Sequence, residues 1–125
     1  MSKFSVFKDK EVLITGHTGF KGSWLTSWLL ELGAKVIGLS ADVPSSPSHF
    51  DAIDLLSKIT HIWGDIRDFS TCSAVIKQHQ PDFFFHLAAQ PLVRKSYLEP
   101  HETFATNTGG TSNILEALVL VIINV

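Results

Sequence analysis

One cysteine in 125 residues, Cys72, has no partner within the chain and cannot build a Cys-rich zinc site, so no metal is expected. A reducing compartment follows, with Cys72 as a small apolar filler. An excess of either charge is also missing: ten Lys and Arg stand against twelve Asp and Glu, a net charge of −2 with an isoelectric point near 6.3. Without a basic surplus to neutralise phosphates, nucleic acid is not an expected partner. Long apolar runs are absent as well. None reaches the roughly 18 residues that cross a bilayer, and charges interrupt the apolar residues of the N-terminal MSKFSVFKDKEV, so neither a membrane nor a leader is expected. A cytoplasmic protein is the expectation. Repeats and low-complexity tracts are lacking too, and 45% hydrophobic residues are enough for one core.

What the chain does have is alternation. EVLITG (Glu11 to Gly16) reads as a strand buried on both faces. Trp24, Leu25, Trp28, Leu29 and Leu32 then form an apolar stripe at helical spacing, which Gly33 is placed to end. KVIGLS is a second strand ending near Ser40, and ADVPSSPSHF a surface loop. THIWGD predicts a third strand, and Asp68 or Ser70 a cap for a helix to about Gln78. PDFFFHLA predicts a fourth strand and ETFATNTGGTSNILEAL another helix. The final VLVIINV reads as a fifth strand. However, no Gly, Pro or polar run separates it from the helix, so a helix extended past Leu118 is the alternative. Alternating strands and helices predict an α/β fold, a doubly wound parallel sheet of Rossmann type truncated after about the fifth strand. Ligands of such sheets sit beyond the carboxyl ends of the strands, so motifs matter most there.

TGHTGFKG lies just there, with Gly16, Gly19 and Gly22 between strand one and helix one. A pyrophosphate can meet backbone N–H groups and the positive helix end at such a place. Gly16 permits the turn, Gly19 admits the phosphates and Gly22 allows helix and strand to pack closely. Lys21 precedes the last glycine and no GK[ST] follows, which excludes a Walker loop. After strand two, Ser40 or Asp42 can accept the ribose 2′-hydroxyl. An acidic group there and the absence of arginine between Gly22 and Arg67 favour NAD over NADP. In GDIRD, Asp65 is a candidate acceptor for the adenine amino group, with Ile66 on the ring face; a helix N-cap is the alternative role.

These motifs, with FHLAAQPLVRKSYLEP and TNTGGTSNILEA, resemble the extended short-chain dehydrogenase/reductase family from about Lys10 to Ala117. Within it, TGHTGFKGSWL and HLAAQPLVRKSY look like the nucleotide-sugar 4,6-dehydratase branch, nearest to the enzymes acting on CDP-glucose. The resemblance implies NAD as cofactor and a nucleotide-sugar substrate, CDP-glucose, in a homo-oligomeric enzyme. It assigns Gly16, His17, Thr18, Gly19, Phe20, Lys21 and Gly22 to the pyrophosphate, with Lys21 adding a point charge and His17 donating to a phosphate or filling the turn. Asp65 and Ile66 go to adenine, and Leu87, Ala88, Ala89 and Gln90 to the ribose and nicotinamide side. Thr106 matches a cofactor contact, Asn107 an asparagine that props the active-site helix, and Arg94 a loop residue facing the substrate. Ser40 departs from the pattern, where many relatives carry Asp.

The implied reaction is an internal redox cycle in which hydride leaves C4 of the hexose, water is lost across C5–C6, and the hydride returns at C6. Its base is the tyrosine of a Tyr-x-x-x-Lys pair. Tyr97 is followed four residues on by His101 and lies after strand four, so it is rejected. The expectation is therefore that residues 1–125 are the NAD-binding domain, with the substrate domain and the Tyr-x-x-x-Lys region outside them. The alternatives are a non-catalytic dinucleotide-binding module or another member of the wider family, such as a nucleotide-sugar epimerase.

Overall fold

The computed structural model describes residues 3–123. They fall into two compact units, Met1–Gly64 with Pro81–Leu87, and Asp65–Gln80 with Ala88–Val125.

The first unit holds β1 (Glu11–Thr15), α1 (Phe20–Glu31), β2 (Lys35–Ser40), the short α2 (His49–Ala52), β3 (Thr60–Trp63) and β4 (Phe83–His86). The four strands are parallel in the order β3-β2-β1-β4. β1 and β2 are buried from Val12 and Val36 to their last residues, as near-continuous apolar runs require of strands covered on both faces. On one side Val12, Ile14 and Val36 pack with Leu29 and Ala34, and Phe7, Phe83 and Phe85 close around them. Gly33, at φ +85°, supplies the left-handed residue that stops α1.

The face α1 buries differs from the stripe expected. Gly22, Ser23, Thr26 and Leu29 are buried, while Trp24 and Trp28 are 54% and 51% exposed. Small residues line the inner face because the helix starts in contact with the end of β1, and an indole would hold it away. Trp24 stacks instead on His49, with ring centroids 4.1 Å apart, and Trp28 meets the edge of Phe4.

The second unit holds α3 (Phe69–His79), α4 (Val93–Leu98), α5 (Pro100–Phe104), a π-helical turn (Ala105–Gly109) and α6 (Gly110–Ile123). Asp68 is the N-cap of α3, one oxygen accepting from the Ser70 N–H at 3.1 Å and the other from the Thr71 hydroxyl at 2.8 Å. Cys72, Val75 and Ile76 of α3 and Ile114 and Ala117 of α6 form the buried apolar side chains of the pair. Cys72 is a filler as expected: its thiol points at the Ile66 carbonyl, 3.4 Å away, and burial pushes its pKa up to about 11.

The expected fifth strand is not there. Val119 to Ile123 continue α6; Asn124 and Val125 lie outside the described residues. Extending an existing helix costs one residue's freedom per hydrogen bond gained, and the sequence offers no breaker to stop it. Arg94, expected in a loop, lies on α4.

α6 meets Ile66 at a glycine. A Cβ on Gly110 would lie 2.4 Å from Ile66 Cδ1 and 2.6 Å from its Cγ1. Gly110→Ala should cost about 1–3 kcal/mol in urea unfolding. Ile66→Val removes the nearer methyl, so the double variant should be less destabilised than the sum of the two by about 0.5 kcal/mol or more. Strict additivity would show that the two residues do not press on each other.

Candidate functional site

The sequence of strands 3-2-1 reverses direction between β1 and β4, so the carboxyl ends of these two strands form the switch point of the sheet. There Thr15 and His86 face each other in register, with Thr15 Oγ1 2.6 Å from His86 Nδ1, and burial lowers the pKa of His86. The Leu87 N–H donates to the Thr15 carbonyl at 3.1 Å, which extends the pairing past the last strand residue.

The glycine loop leaves β1 at the same end. Gly16 has φ +77°, a conformation that a side chain disfavours, and its N–H donates to the Leu39 carbonyl at 2.9 Å. A Cβ on Gly22 would sit 2.0 Å from the Gly16 oxygen, so this residue must be glycine for the helix to begin where it does. Gly19 is different. Its φ is −75°, and an added Cβ would meet only the Gly16 oxygen, at 3.4 Å. Neither backbone nor packing demands glycine here. Gly19 is also the N-cap of α1 and no side chain caps it, which leaves the first-turn N–H groups to an outside acceptor. Lys21 and Phe20 are exposed on that first turn, and buried Thr18 ties the loop to the segment after β2 by donating to the Asp42 carbonyl at 2.6 Å.

His17 is turned the other way. Its ring is fully buried, with Nε2 2.8 Å from His61 Nδ1 and Nδ1 3.1 Å from Ser40 Oγ. Burial lowers its pKa to about 4; the neighbouring His61 adds to the drop and a hydrogen bond to the Leu39 carbonyl opposes it. Of the two expected roles the structure takes the second: the side chain fills the turn, and both ring nitrogens are engaged inside the protein. Ser40 is buried and committed to His17, whereas Asp42 stands exposed beyond β2.

In the second unit, Asp65 does not cap the helix. Its Oδ1 accepts from the Arg67 N–H at 2.9 Å, and its Oδ2 from Arg67 Nε and Nη2 at 2.9 and 2.7 Å. The guanidinium so placed holds the carboxyl below its usual range, against the opposing effect of burial. Ile66 corrects the expectation for it. The side chain is 5% exposed and lies against Gly110, so it is packed inside rather than offered to a ring, and its carbonyl accepts from Asn113 Nδ2 at 2.8 Å.

Asn107 and Thr106 sit in the π-helical turn, a distortion frequent at functional sites. Asn107 grips the backbone of Gln90 at both ends, Oδ1 accepting from its N–H at 2.7 Å and Nδ2 donating to its carbonyl at 3.1 Å. It therefore props the segment after β4, not a helix. Gln90 in turn bonds its side chain to the Leu92 N–H and carbonyl and to Thr103. Ala88 is half-buried, and Ala89 and Arg94 are exposed. Tyr97 is 82% exposed on α4. Among the described residues no three His, Cys, Asp or Glu side chains are grouped to hold a metal, and no helix is long and apolar enough to cross a membrane.

The residues that sequence reasoning missed are Gly38, His61 and Asn113. Gly38 carried a signal, since a lone glycine inside a strand suggests close approach by another group. The group is the His17 ring.

Residues 13–123 match the family described as GDP-mannose 4,6 dehydratase. The chain belongs to that family. It is 48% identical over 112 residues to CDP-glucose 4,6-dehydratase of Salmonella typhimurium, a match covering 90% of this chain and 31% of that protein. Among solved structures, an epimerase of Methanothermobacter thermautotrophicus superposes with a TM-score of 0.81 at 36% identity, over 94% of this chain and 34% of that one. A UDP-glucose 4-epimerase of Stenotrophomonas maltophila, solved with NAD and formylated UDP-arabinopyranose bound, gives 0.74 at 28% identity, over 87% and 33%. The chain thus spans about a third of the length of these family relatives.

The three glycines should respond differently to substitution. Gly22→Ala is expected to destabilise the fold, because the clash is with backbone that cannot swing aside. Gly19→Val should lower stability by no more than the roughly 1 kcal/mol of a lost glycine N-cap, while abolishing binding of a diphosphate ligand. Calorimetry of both variants checks this; a larger loss in the Gly19→Val chain would mean that Gly19 is needed for folding.

Proposed function

We propose that this chain binds NAD and is the cofactor-binding part of a cytoplasmic, homo-oligomeric nucleotide-sugar 4,6-dehydratase acting on CDP-glucose. The observation that carries the binding reading is Gly19, a glycine kept where only an outside group needs the room, at the uncapped start of α1. The first-turn N–H groups hold the diphosphate, and Lys21 adds its charge. Asp42, not Ser40, takes the adenosine ribose: the serine hydroxyl is bonded to His17, while the Asp42 carboxylate is exposed and its backbone is fixed to Thr18. A carboxylate in that position accepts from a 2′-hydroxyl and repels a 2′-phosphate.

Among the residues of the second unit, Asp65 and Thr106 keep the roles the resemblance gives them, and Arg94 faces the substrate from α4 rather than from a loop. Ile66 has only its backbone to offer, and Asn107 steadies the segment after β4. Asp65 serves adenine from within its pair with Arg67. Asn107 keeps Ala88 to Gln90 from shifting by clamping the Gln90 backbone. When bound, NAD supplies the reversible hydride acceptance that a 4,6-dehydration needs, and the chain's part is to bind and orient it. The preference for CDP-glucose rests on the higher identity to the Salmonella enzyme, 48% against 36% and 28% for the two epimerases. Supporting the homo-oligomer, Leu115, Val119 and Ile122 are apolar and exposed on α6.

Titration calorimetry should give tighter binding of NAD than of NADP by about tenfold or more, the loss expected when a charged acceptor meets the wrong group. Asp42→Asn should narrow the ratio. Equal affinities in the unsubstituted chain would overturn the assignment.

Activity is a separate matter. Loss of a general base alone costs about 10²–10⁴-fold, so the 125 residues supplied with NAD and CDP-glucose should form no 4-keto sugar above background. Turnover would put a catalytic group among these residues, with Tyr97 tested first.

A further inference from the structure

The histidine pair beneath the glycine loop is unexplained by the binding of a cofactor. His17 has no exposed surface, and a Cβ on Gly38 would come within 2.5 Å of its ring. Gly38 pairs in register with His61 on β3, so the bare backbone of β2 leaves a slot in which the His17 ring lies alongside His61. Phe50 of α2 closes the slot, edge-on to His17 at 5.5 Å between centroids, and Trp63 covers His61 at 4.0 Å.

With the His17 proton on Nδ1, the nitrogen 3.1 Å from Ser40 Oγ, Nε2 is an acceptor. His61 must then donate from Nδ1, which leaves His61 Nε2 as a bare lone pair, buried and without a hydrogen-bond partner. The pair is a chain of donors running towards β2, and its one free site for a proton is that nitrogen.

We infer that His17 and His61 are positioning residues for the glycine loop, an uncharged latch that sets cofactor affinity by holding Gly16 to Gly22 in place. The inference rests on the reading that the loop receives the diphosphate of NAD. His17 is itself a loop residue, between the turn at Gly16 and the start of α1, so a ring that leaves the slot takes the loop backbone with it. A proton on His61 Nε2 puts a charge among Phe50, Trp63 and a second imidazole, and opening the slot is the way to solvate it.

The ionisable groups on the elements around the slot do not oppose this. On α2, His49 is bonded to Ser23 Oγ at 2.9 Å and stacked on Trp24, and Asp51 is bonded to Ser48. β2 contributes Lys35 at its far end, α1 carries Lys21 and Glu31, and Asp42 is exposed in the loop beyond β2. The sign of the pH effect follows from lowered histidine pKa values in the folded state. The unfolded or open form takes up protons from about pH 6.5 downward while the closed form resists. The closed form is thus fully favoured above that pH, and loses its advantage as pH falls towards the value near 4 of closed His17.

The test uses the whole chain, with NAD as ligand and amide hydrogen exchange, corrected for the intrinsic pH dependence, as a second readout. His61→Asn keeps a donor at the Nδ1 position and has no proton to gain; His61→Leu has no donor. At about pH 7.5 the Asn variant should bind NAD within a few-fold of wild type, and the Leu variant about tenfold or more weaker, as for a buried acceptor left unsatisfied. Between about pH 7 and pH 5, wild-type affinity should fall and the Asn variant's should fall less, because only His17 is left to take up a proton. In exchange, the amides of Gly19 and Ser23 should lose protection in the Leu variant while those of β1 keep it.

Wild-type affinity that does not change with pH, or a Leu variant that binds as wild type, overturns the latch. If the Leu variant does not fold, the contrast between wild type and the Asn variant across pH decides. If wild type fails to bind NAD at about pH 7.5, the functional reading falls. The latch then stands or falls on exchange: unaltered protection of Gly19 and Ser23 in the wild type at low pH would refute it.

Discussion

Contact between the first residue after β1 and the first turn of α1 is the constraint on which the rest depends. Gly22 lies where any Cβ would overlap the Gly16 oxygen. Because the helix begins that close, the chain must reverse within a few residues, which puts Gly16 at positive φ and makes Gly19 the cap. The same closeness selects small buried residues along α1, Ser23 and Thr26 with Leu29, and sends the two tryptophans outward. Thr26 returns its hydroxyl to the Gly22 carbonyl at 2.7 Å, so even the polar atoms of the inner face are satisfied without outside partners.

A missing Cβ is used twice more, each time to admit a side chain. Gly38 makes room for the His17 ring and Gly110 for the Ile66 side chain. In both cases the admitted group belongs to a ligand-side motif; sequence reasoning had pointed Ile66 outward and left His17 either way. His17 is held on both ring nitrogens, and Ile66 has its carbonyl bonded to Asn113 and approached by the Cys72 thiol. These inward contacts tie the loops to the core, and a loop held in place loses less entropy when a ligand is captured.

Asn107 shows the same division of labour. A side-chain amide that accepts from one backbone N–H and donates to the carbonyl of the same residue mimics a strand partner, and it does so where Gln90 has left β4 and has no neighbour to pair with. The π-helical turn places the amide there by shifting the register of the helix by one residue.

Much of this was legible in the sequence. Periodicity identified the four parallel strands and the helices α1, α3 and α6, because apolar patterning and breakers act on a few neighbouring residues at a time. The spacing of Gly16, Gly19 and Gly22 pointed to three different reasons for glycine, and the structure shows two of them, the turn at Gly16 and the close packing at Gly22. The sequence could not say which way His17, Ile66 and Trp24 point, nor choose between Ser40 and Asp42. Those choices depend on what occupies the space across a strand or a helix, such as the bare Cα of Gly38 on one strand beside His61 on the next. The end of the chain was decided in the same way. VLVIINV has the composition of a strand, but Ile114 and Ala117 are already docked as helix, and continuing it costs less than breaking it. Local pattern determined the elements; only the tertiary structure decided which atoms they turn towards a ligand and which towards each other.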